Sequence, residues 1–118
     1  MRIKKIYACW IYVNDLNKSI EFYQAVGFKI KFIEDKWVEF DLGETSFAIL
    51  KRDESKGKVI PRKTRIMFET DNIESLYKDL RNKNITFIGE VLNEPYGKLL
   101  TFEDPDGHWL EFFENSRS

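Results

Sequence analysis

The chain has 118 residues, 42% of them hydrophobic and 33% charged, which excludes a disordered chain and suits one compact domain. Its 19 Lys and Arg against 20 Asp and Glu give a net charge of −1. This argues against nucleic acid and membrane partners, because both attract clustered positive charge. Cys9 is the only cysteine, so an intrachain disulfide is excluded. The first residues show no cleavage signal or long apolar run, and we expect a cytoplasmic protein.

The first half of the chain predicts one helix among four strands. Residues 6–13 are apolar at almost every position, which favours a strand covered on both faces. Asn14 and Asp15 then supply capping side chains, and apolar residues at helical spacing predict a helix that ends at Gly27. Three further strands are predicted at 28–34, 37–42 and 46–51.

The second half repeats this pattern. Residues 52–63 are polar and lack periodicity, so we predict a linker there. A strand at 65–70 follows, and Asp71 with Glu74 indicates a capping box for a helix that approaches Asn84. Further strands are predicted at 85–91, 99–103 and 109–114.

The two halves can be aligned with each other. A shift of 57 residues places Gly27 on Asn84, and a shift of 62 places Ile49 on Glu111. Each half has the order βαβββ, and one half alone could hardly bury its sheet face. The alternative is an ordinary α+β sandwich whose halves are similar by chance.

We therefore predict an α+β fold in which two tandem βαβββ modules form a curved mixed sheet around a cavity, with the helices outside. The whole chain, 1–118, is expected to be one domain. Module one covers about 4–51, and module two covers about 64–115.

Two motifs resemble the signatures of the vicinal oxygen chelate superfamily, which includes glyoxalases, bleomycin-resistance proteins and extradiol dioxygenases. The first motif is VNDLNKSIEFYQAVGF at 13–28, and the second is FEDPDGHWLE at 102–111. The resemblance covers nearly the whole chain and implies the fold more strongly than any single activity. It also implies a homodimer, since members of this family often complete their cavities between subunits.

The resemblance further implies where a metal would be held. In the enzymes of this family, four side chains bind a divalent ion, and their positions fall on Ala8, Ile49, Arg65 and Glu111. Only Glu111 offers a ligand, because alanine and isoleucine have no donor and arginine repels a cation. We therefore expect no metal and no other cofactor, and the sequence argues against an enzyme.

Strand alternation predicts which side chains line the cavity. The set in step with Ala8 is aromatic with few charges, a composition typical of a small-molecule site. The predicted ligand-binding residues are Trp10, Tyr12, Phe47, Arg65, Met67, Trp109 and Glu111. Within this set, Arg65 and Glu111 are expected to form an ion pair in place of the metal.

The remaining polar residues are interpreted as structural. Cys9 is expected to face the helices as a buried, inert thiol. His108, the only histidine, is interpreted as a solvated turn residue. Glu39 and Asp41 are expected to face solvent, whereas on the cavity side they would restore a metal site made of acids.

Three functions stay open at this point. The leading hypothesis is metal-independent binding of a small, partly aromatic or cationic molecule, as in bleomycin resistance, a form of antibiotic resistance. The second is a metal-dependent lyase or dioxygenase that acts on a bidentate oxygen substrate. The third is a structural or regulatory domain in which aromatic side chains close the cavity.

Overall fold

The structure, a computed structural model, describes residues 2–116. The chain divides near residue 60 into two compact units. Each unit contains one helix and one four-stranded mixed sheet in the order βαβββ. The predicted α+β class and the two modules are thereby confirmed. No helix within residues 2–116 combines the length and the apolar character needed to cross a bilayer.

The first unit follows the predicted order of elements. These are β1 (Ala8–Val13), α1 (Leu16–Val26), β2 (Ile30–Glu34), β3 (Trp37–Asp41) and β4 (Ser46–Lys51). Its sheet has the strand order β1-β4-β3-β2. The pairing of β1 with β4 is parallel, and the other two pairings are antiparallel.

Helix α1 begins and ends where its sequence predicts. The side chain of Asp15 accepts a hydrogen bond from the backbone N–H of Lys18 at 3.0 Å, which satisfies one free donor of the first turn. Gly27 ends the helix at φ 125°, a conformation that glycine adopts without steric cost.

The core of the first unit lies between α1 and the sheet. Tyr23, Phe40 and Phe47 are fully buried. The ring centroid of Tyr23 lies 5.2 Å from that of Phe47 and 5.7 Å from that of Phe40. The prediction that Phe47 lines a ligand cavity is therefore wrong, because its ring packs against the helix.

The second unit has the same arrangement. Its elements are β5 (Lys63–Glu69), α2 (Ile73–Leu80), β6 (Thr86–Glu94), β7 (Gly97–Glu103) and β8 (Trp109–Asn115). The strand order is β5-β8-β7-β6, with β5 parallel to β8. Strand β5 begins at Lys63, the last residue of the predicted linker, and a short 3₁₀ helix, Glu54–Lys56, precedes it.

The start of α2 corrects one prediction. Asn72, not Asp71, is the N-cap, and its side chain accepts a hydrogen bond from Ser75 N–H at 3.0 Å. Glu114 of β8 also accepts a hydrogen bond from the N–H of Ile73 at 2.8 Å, so the sheet caps the same helix end. Asn84 adopts the expected left-handed conformation at φ 59°.

Candidate functional site

A cavity of about 150 Å³ lies in the second unit, on the sheet face of β5, β7 and β8. It is lined by Lys63, Arg65, Thr101, Trp109 and Glu111. Lys63 pairs with Trp109 across the parallel strands, and Thr101 pairs with Glu111 across the antiparallel ones. These pairings place the four side chains on one face, since residues paired across a ladder point to the same side.

A bulge in β5 positions Arg65. The register shifts between Lys63 and Met67, and Arg65 adopts a left-handed backbone at φ 63°. For a residue with a β-carbon this conformation costs about 1–2 kcal/mol. Bulges of this kind redirect a side chain, and Arg65 lines the cavity as a result.

The hydroxyl of Thr64 holds the bulge together. It donates to the carbonyl of Trp109 at 2.7 Å and accepts from the N–H of Ile66 at 3.1 Å. The side chain thereby replaces ladder hydrogen bonds that the bulge interrupts.

Removing this hydroxyl tests its role. Thr64→Val keeps the shape of the side chain and is expected to lower the free energy of unfolding by about 1 kcal/mol, since two backbone groups lose a partner. Chemical denaturation measures the change. Thr86→Val, at an exposed position of β6, is the control and is expected to change stability little. An equal loss in both variants would contradict a specific role for Thr64.

Trp109 forms one wall of the cavity, and two neighbours fix its ring. Its indole N–H donates to Glu103 Oε1 at 3.1 Å. The ammonium of Lys63 lies 4.4 Å from the centre of the ring, within the range of a cation–π contact. The indole is therefore held in one orientation before any ligand arrives.

The predicted ion pair between Arg65 and Glu111 is not formed. Within residues 2–116, no ion pair of 4.0 Å or less joins either Lys63 or Arg65 to a carboxylate. The physical reason is the bulge, which places Met67 rather than Arg65 opposite Glu111. Met67 remains 44% exposed on this strand. The cavity thus contains two cations and one carboxylate.

The first unit presents an exposed aromatic surface on β1 and β3. Trp10 and Tyr12 are 45% and 39% exposed, which contradicts the prediction that β1 is covered on both faces. The two rings meet edge to face at 5.0 Å, and the ring of Trp37 lies 6.1 Å from that of Trp10.

Cys9 is exposed, so the prediction of a buried thiol is also wrong. The residue lies near the start of β1, which is an edge strand of its sheet.

Glu39 lies on the same face as the exposed aromatic surface but is fully buried, contrary to the prediction that it faces solvent. Its carboxylate accepts hydrogen bonds from Ser46 Oγ at 2.7 Å, Trp37 Nε1 at 3.0 Å and Tyr7 Oη at 3.1 Å. Lys31 Nζ lies 3.8 Å away. Asp41 is exposed, as predicted.

The surroundings of Glu39 decide its charge. Burial would raise the pKa of the carboxyl, but the hydrogen bonds from Ser46, Trp37 and Tyr7 and the charge of Lys31 outweigh it and lower the pKa. The hydrogen bond from Tyr7 to Glu39 also raises the pKa of the Tyr7 phenol. Glu39 is therefore an ionised anchor with its oxygens occupied, which does not favour a role as a metal ligand.

A second, wider hollow of about 430 Å³ lies in the first unit, beside the loop after β4. Its polar lining already binds the loop: Arg52 donates to the carbonyls of Lys56 and Gly57, and Asn14 Oδ1 accepts from the N–H of Val59 at 2.8 Å. These contacts indicate a structural role for the lining.

The turn before β8 corrects the interpretation of His108, which is buried rather than solvated. Its Nδ1 accepts a hydrogen bond from the N–H of Arg62 at 3.0 Å. Asp104 Oδ1 accepts from the N–H groups of Asp106 and His108. Side-chain ligand atoms of the two aspartates and the histidine lie within 4.8 Å of one another. Because these hydrogen bonds already use His108 Nδ1 and Asp104 Oδ1, the cluster ties the turn to the start of β5.

Comparison with known proteins identifies the family. The model of the Glyoxalase/Bleomycin resistance protein/Dioxygenase superfamily matches residues 5–112. The chain belongs to this superfamily. Among curated proteins, it is 32% identical over 123 residues to the uncharacterized protein YwbC of Bacillus subtilis, covering 94% of this chain and 98% of YwbC.

Two further matches are proteins whose function is named. The metallothiol transferase FosB of Lysinibacillus sphaericus is 29% identical over 117 residues, covering 95% of this chain and 83% of FosB. Among solved structures, TnmS3, an antibiotic-binding protein from Streptomyces sp. CB03234, superposes with a TM-score of 0.82 at 22% identity. The match covers 98% of this chain and 99% of TnmS3, and at this identity it supports the fold alone.

The strand registers refine the metal positions of the superfamily. Ala48 pairs with Trp10 and Glu39 in the way that Glu111 pairs with Met67 and Thr101. Ala48, not Ile49, is therefore the counterpart of Glu111.

The four positions become Ala8, Ala48, Arg65 and Glu111. Ile49 instead belongs to the buried core. Glu111 is the only one of the four with a ligand atom, and the cation Arg65 lines the same cavity of the second unit. This cavity therefore does not fit a divalent ion.

Proposed function

We propose that this protein binds a small, partly aromatic molecule in the cavity of the second unit without using a metal. The observation that carries the proposal is the cavity itself, in which a fixed indole adjoins charged and polar side chains. A volume of about 150 Å³ is enough for a benzene-sized group. Trp109 would contribute the apolar contact, and Arg65 and Glu111 would orient polar groups of the ligand.

The chemistry of the superfamily positions supports binding rather than metal catalysis. A lyase or dioxygenase that activates a bidentate substrate needs several ligands around its ion. Ala8, Ala48 and Arg65 supply none. In TnmS3 the same fold serves an antibiotic-binding protein, which indicates that the scaffold is compatible with this kind of function.

The first unit has proposed ligand contacts of its own. Trp10 and Tyr12 present ring surfaces to solvent, and flat aromatic surfaces contribute affinity at low entropic cost. We keep both as proposed ligand contacts. Phe47 is no longer included, because its ring belongs to the core.

Three probes that differ in charge test the proposal: benzoate, benzyl alcohol and benzylamine. At least one is expected to raise the melting temperature, since a ligand that binds only the folded state stabilises it. The same probe should change the tryptophan fluorescence. Trp109→Leu is expected to abolish the shift, whereas Phe32→Leu, at an exposed position of β2 in the first unit, should retain it.

Metal dependence is tested on the same samples. We expect the ligand-induced shift to be unchanged after dialysis against EDTA. If no probe stabilises the protein, the proposed function is wrong. If a stoichiometric divalent ion is bound through Glu111, and its removal abolishes binding, the metal-dependent alternative replaces it.

A further inference from the structure

We infer that the cavity of the second unit recognises an anionic group, such as the carboxylate or phosphonate of an aromatic acid, through Arg65 and Lys63. This inference rests on the proposed function, because it names the ligand class of the same site. It also replaces the cationic ligand that the sequence alone left open.

The balance of charge in the cavity is the first argument. Arg65 and Lys63 contribute two positive charges and Glu111 contributes one negative charge among the lining residues. Within the described residues 2–116, neither cation has a carboxylate within 4.0 Å. No carboxylate therefore neutralises either cation at contact distance, and an anion placed between them gains charge-assisted hydrogen bonds.

The backbone of Arg65 is the second argument. Its left-handed conformation is unfavourable for an arginine, and the Thr64 hydroxyl maintains it. A strained residue inside a bulge is a recurrent feature of binding sites. The side chain that this geometry directs to the cavity is a planar guanidinium, whose paired N–H groups match the two oxygens of a carboxylate or phosphonate.

Lys63 and Thr101 complete the set of donors. The ammonium of Lys63 is held 4.4 Å from the Trp109 ring centre, so one contact positions both a cation and an aromatic wall. The hydroxyl of Thr101 adds a donor on the neighbouring strand. An acid group attached to an aromatic ring therefore matches the arrangement: donors for the acid and an indole for the ring.

Substitution of Glu111 is expected to change the ligand affinity in the opposite direction to substitution of Arg65. Its carboxylate opposes an anionic ligand, so removing that charge should strengthen binding. Glu111→Gln is expected to tighten benzoate binding severalfold, whereas Arg65→Gln should weaken it about tenfold or more. A purely apolar site would respond equally to both changes.

The test measures dissociation constants of benzoate, benzyl alcohol and benzylamine by calorimetry for the full chain and three variants. Benzoate is expected to bind most tightly and benzylamine most weakly. Benzoate affinity should also fall as salt increases, since exposed charges are screened. Lys78→Gln, on the exposed side of α2, is the matched control for loss of one positive charge, and its benzoate affinity should equal that of the unmodified chain.

The outcomes separate this inference from the proposed function. If benzyl alcohol or benzylamine binds as tightly as benzoate, the anionic inference is overturned while the proposed binding function stands. The inference is also overturned if Arg65→Gln weakens benzoate no more than Lys78→Gln does. If none of the three probes binds, both are wrong.

Discussion

Phe47→Ala is expected to lower the free energy of unfolding by about 3–5 kcal/mol, because truncating a buried ring loses its transfer free energy and leaves a cavity. Phe47 is fully buried. Its ring centroid lies 5.2 Å from that of Tyr23 and 5.6 Å from that of Phe28, so the cavity would open at the junction of α1 with the sheet. Urea denaturation followed by circular dichroism measures the loss.

Trp10→Ala is the matched control, since Trp10 lies on the neighbouring strand but is 45% exposed. Its truncation is expected to cost less than half as much, although the tryptophan side chain is larger. Equal losses in the two variants would contradict the assignment of their side chains to opposite faces of the sheet.

The contrast between buried Phe47 and exposed Trp10 shows which part of the fold could not be predicted from the sequence. Residues 46–50 of β4 are almost all buried, so the strand has no alternation of apolar and polar residues from which its phase could be read. The alignment of the halves therefore slipped by one residue in this strand. A slip of one exchanges the two faces, which moved Phe47 and Ile49 from the core to the predicted cavity.

The sequence was sufficient to predict features that depend on residues close together in the chain. The capping side chain of Asp15 and the glycine at Gly27 predicted both ends of α1, since each cap forms hydrogen bonds only to residues three or four positions away in the chain. The cap of α2 was misplaced by one residue because Asp71 and Asn72 are both good caps. The repeat of elements identified both modules before any pairing was known.

Buried polar residues were missed because their partners are distant in the chain. Glu39 binds Tyr7, 32 residues away, and His108 binds the backbone of Arg62, 46 residues away. A polar residue is expected at the surface unless such partners are known. The bulge at Arg65 was missed for the same reason, because register is a property of two strands.

Glu39→Gln is expected to lower the free energy of unfolding by about 2–3 kcal/mol at neutral pH, since three donors lose a charged acceptor in a buried setting. The pKa of Glu39 is lowered in the folded state relative to its ordinary value of 4.5. The stabilisation is therefore fully present above pH 4.5 and is lost as the pH falls through the lower, folded-state pKa. We expect the difference in stability between the unmodified chain and Glu39→Gln to shrink correspondingly in acid.

Denaturant titrations of both proteins from neutral to acidic pH measure this difference. Glu54→Gln is the control, because Glu54 pairs with Lys51 at 3.3 Å but its side chain is 89% exposed, and exposed pairs contribute little. A stability difference for Glu39→Gln that stays constant as the solution is acidified would show that shape rather than charge matters at this position. A difference as small as that of Glu54→Gln would show that the donors around Glu39 find other partners. The expected result would instead show that the negative charge of Glu39 holds Tyr7 against the sheet, beside the exposed aromatic residues of the first unit.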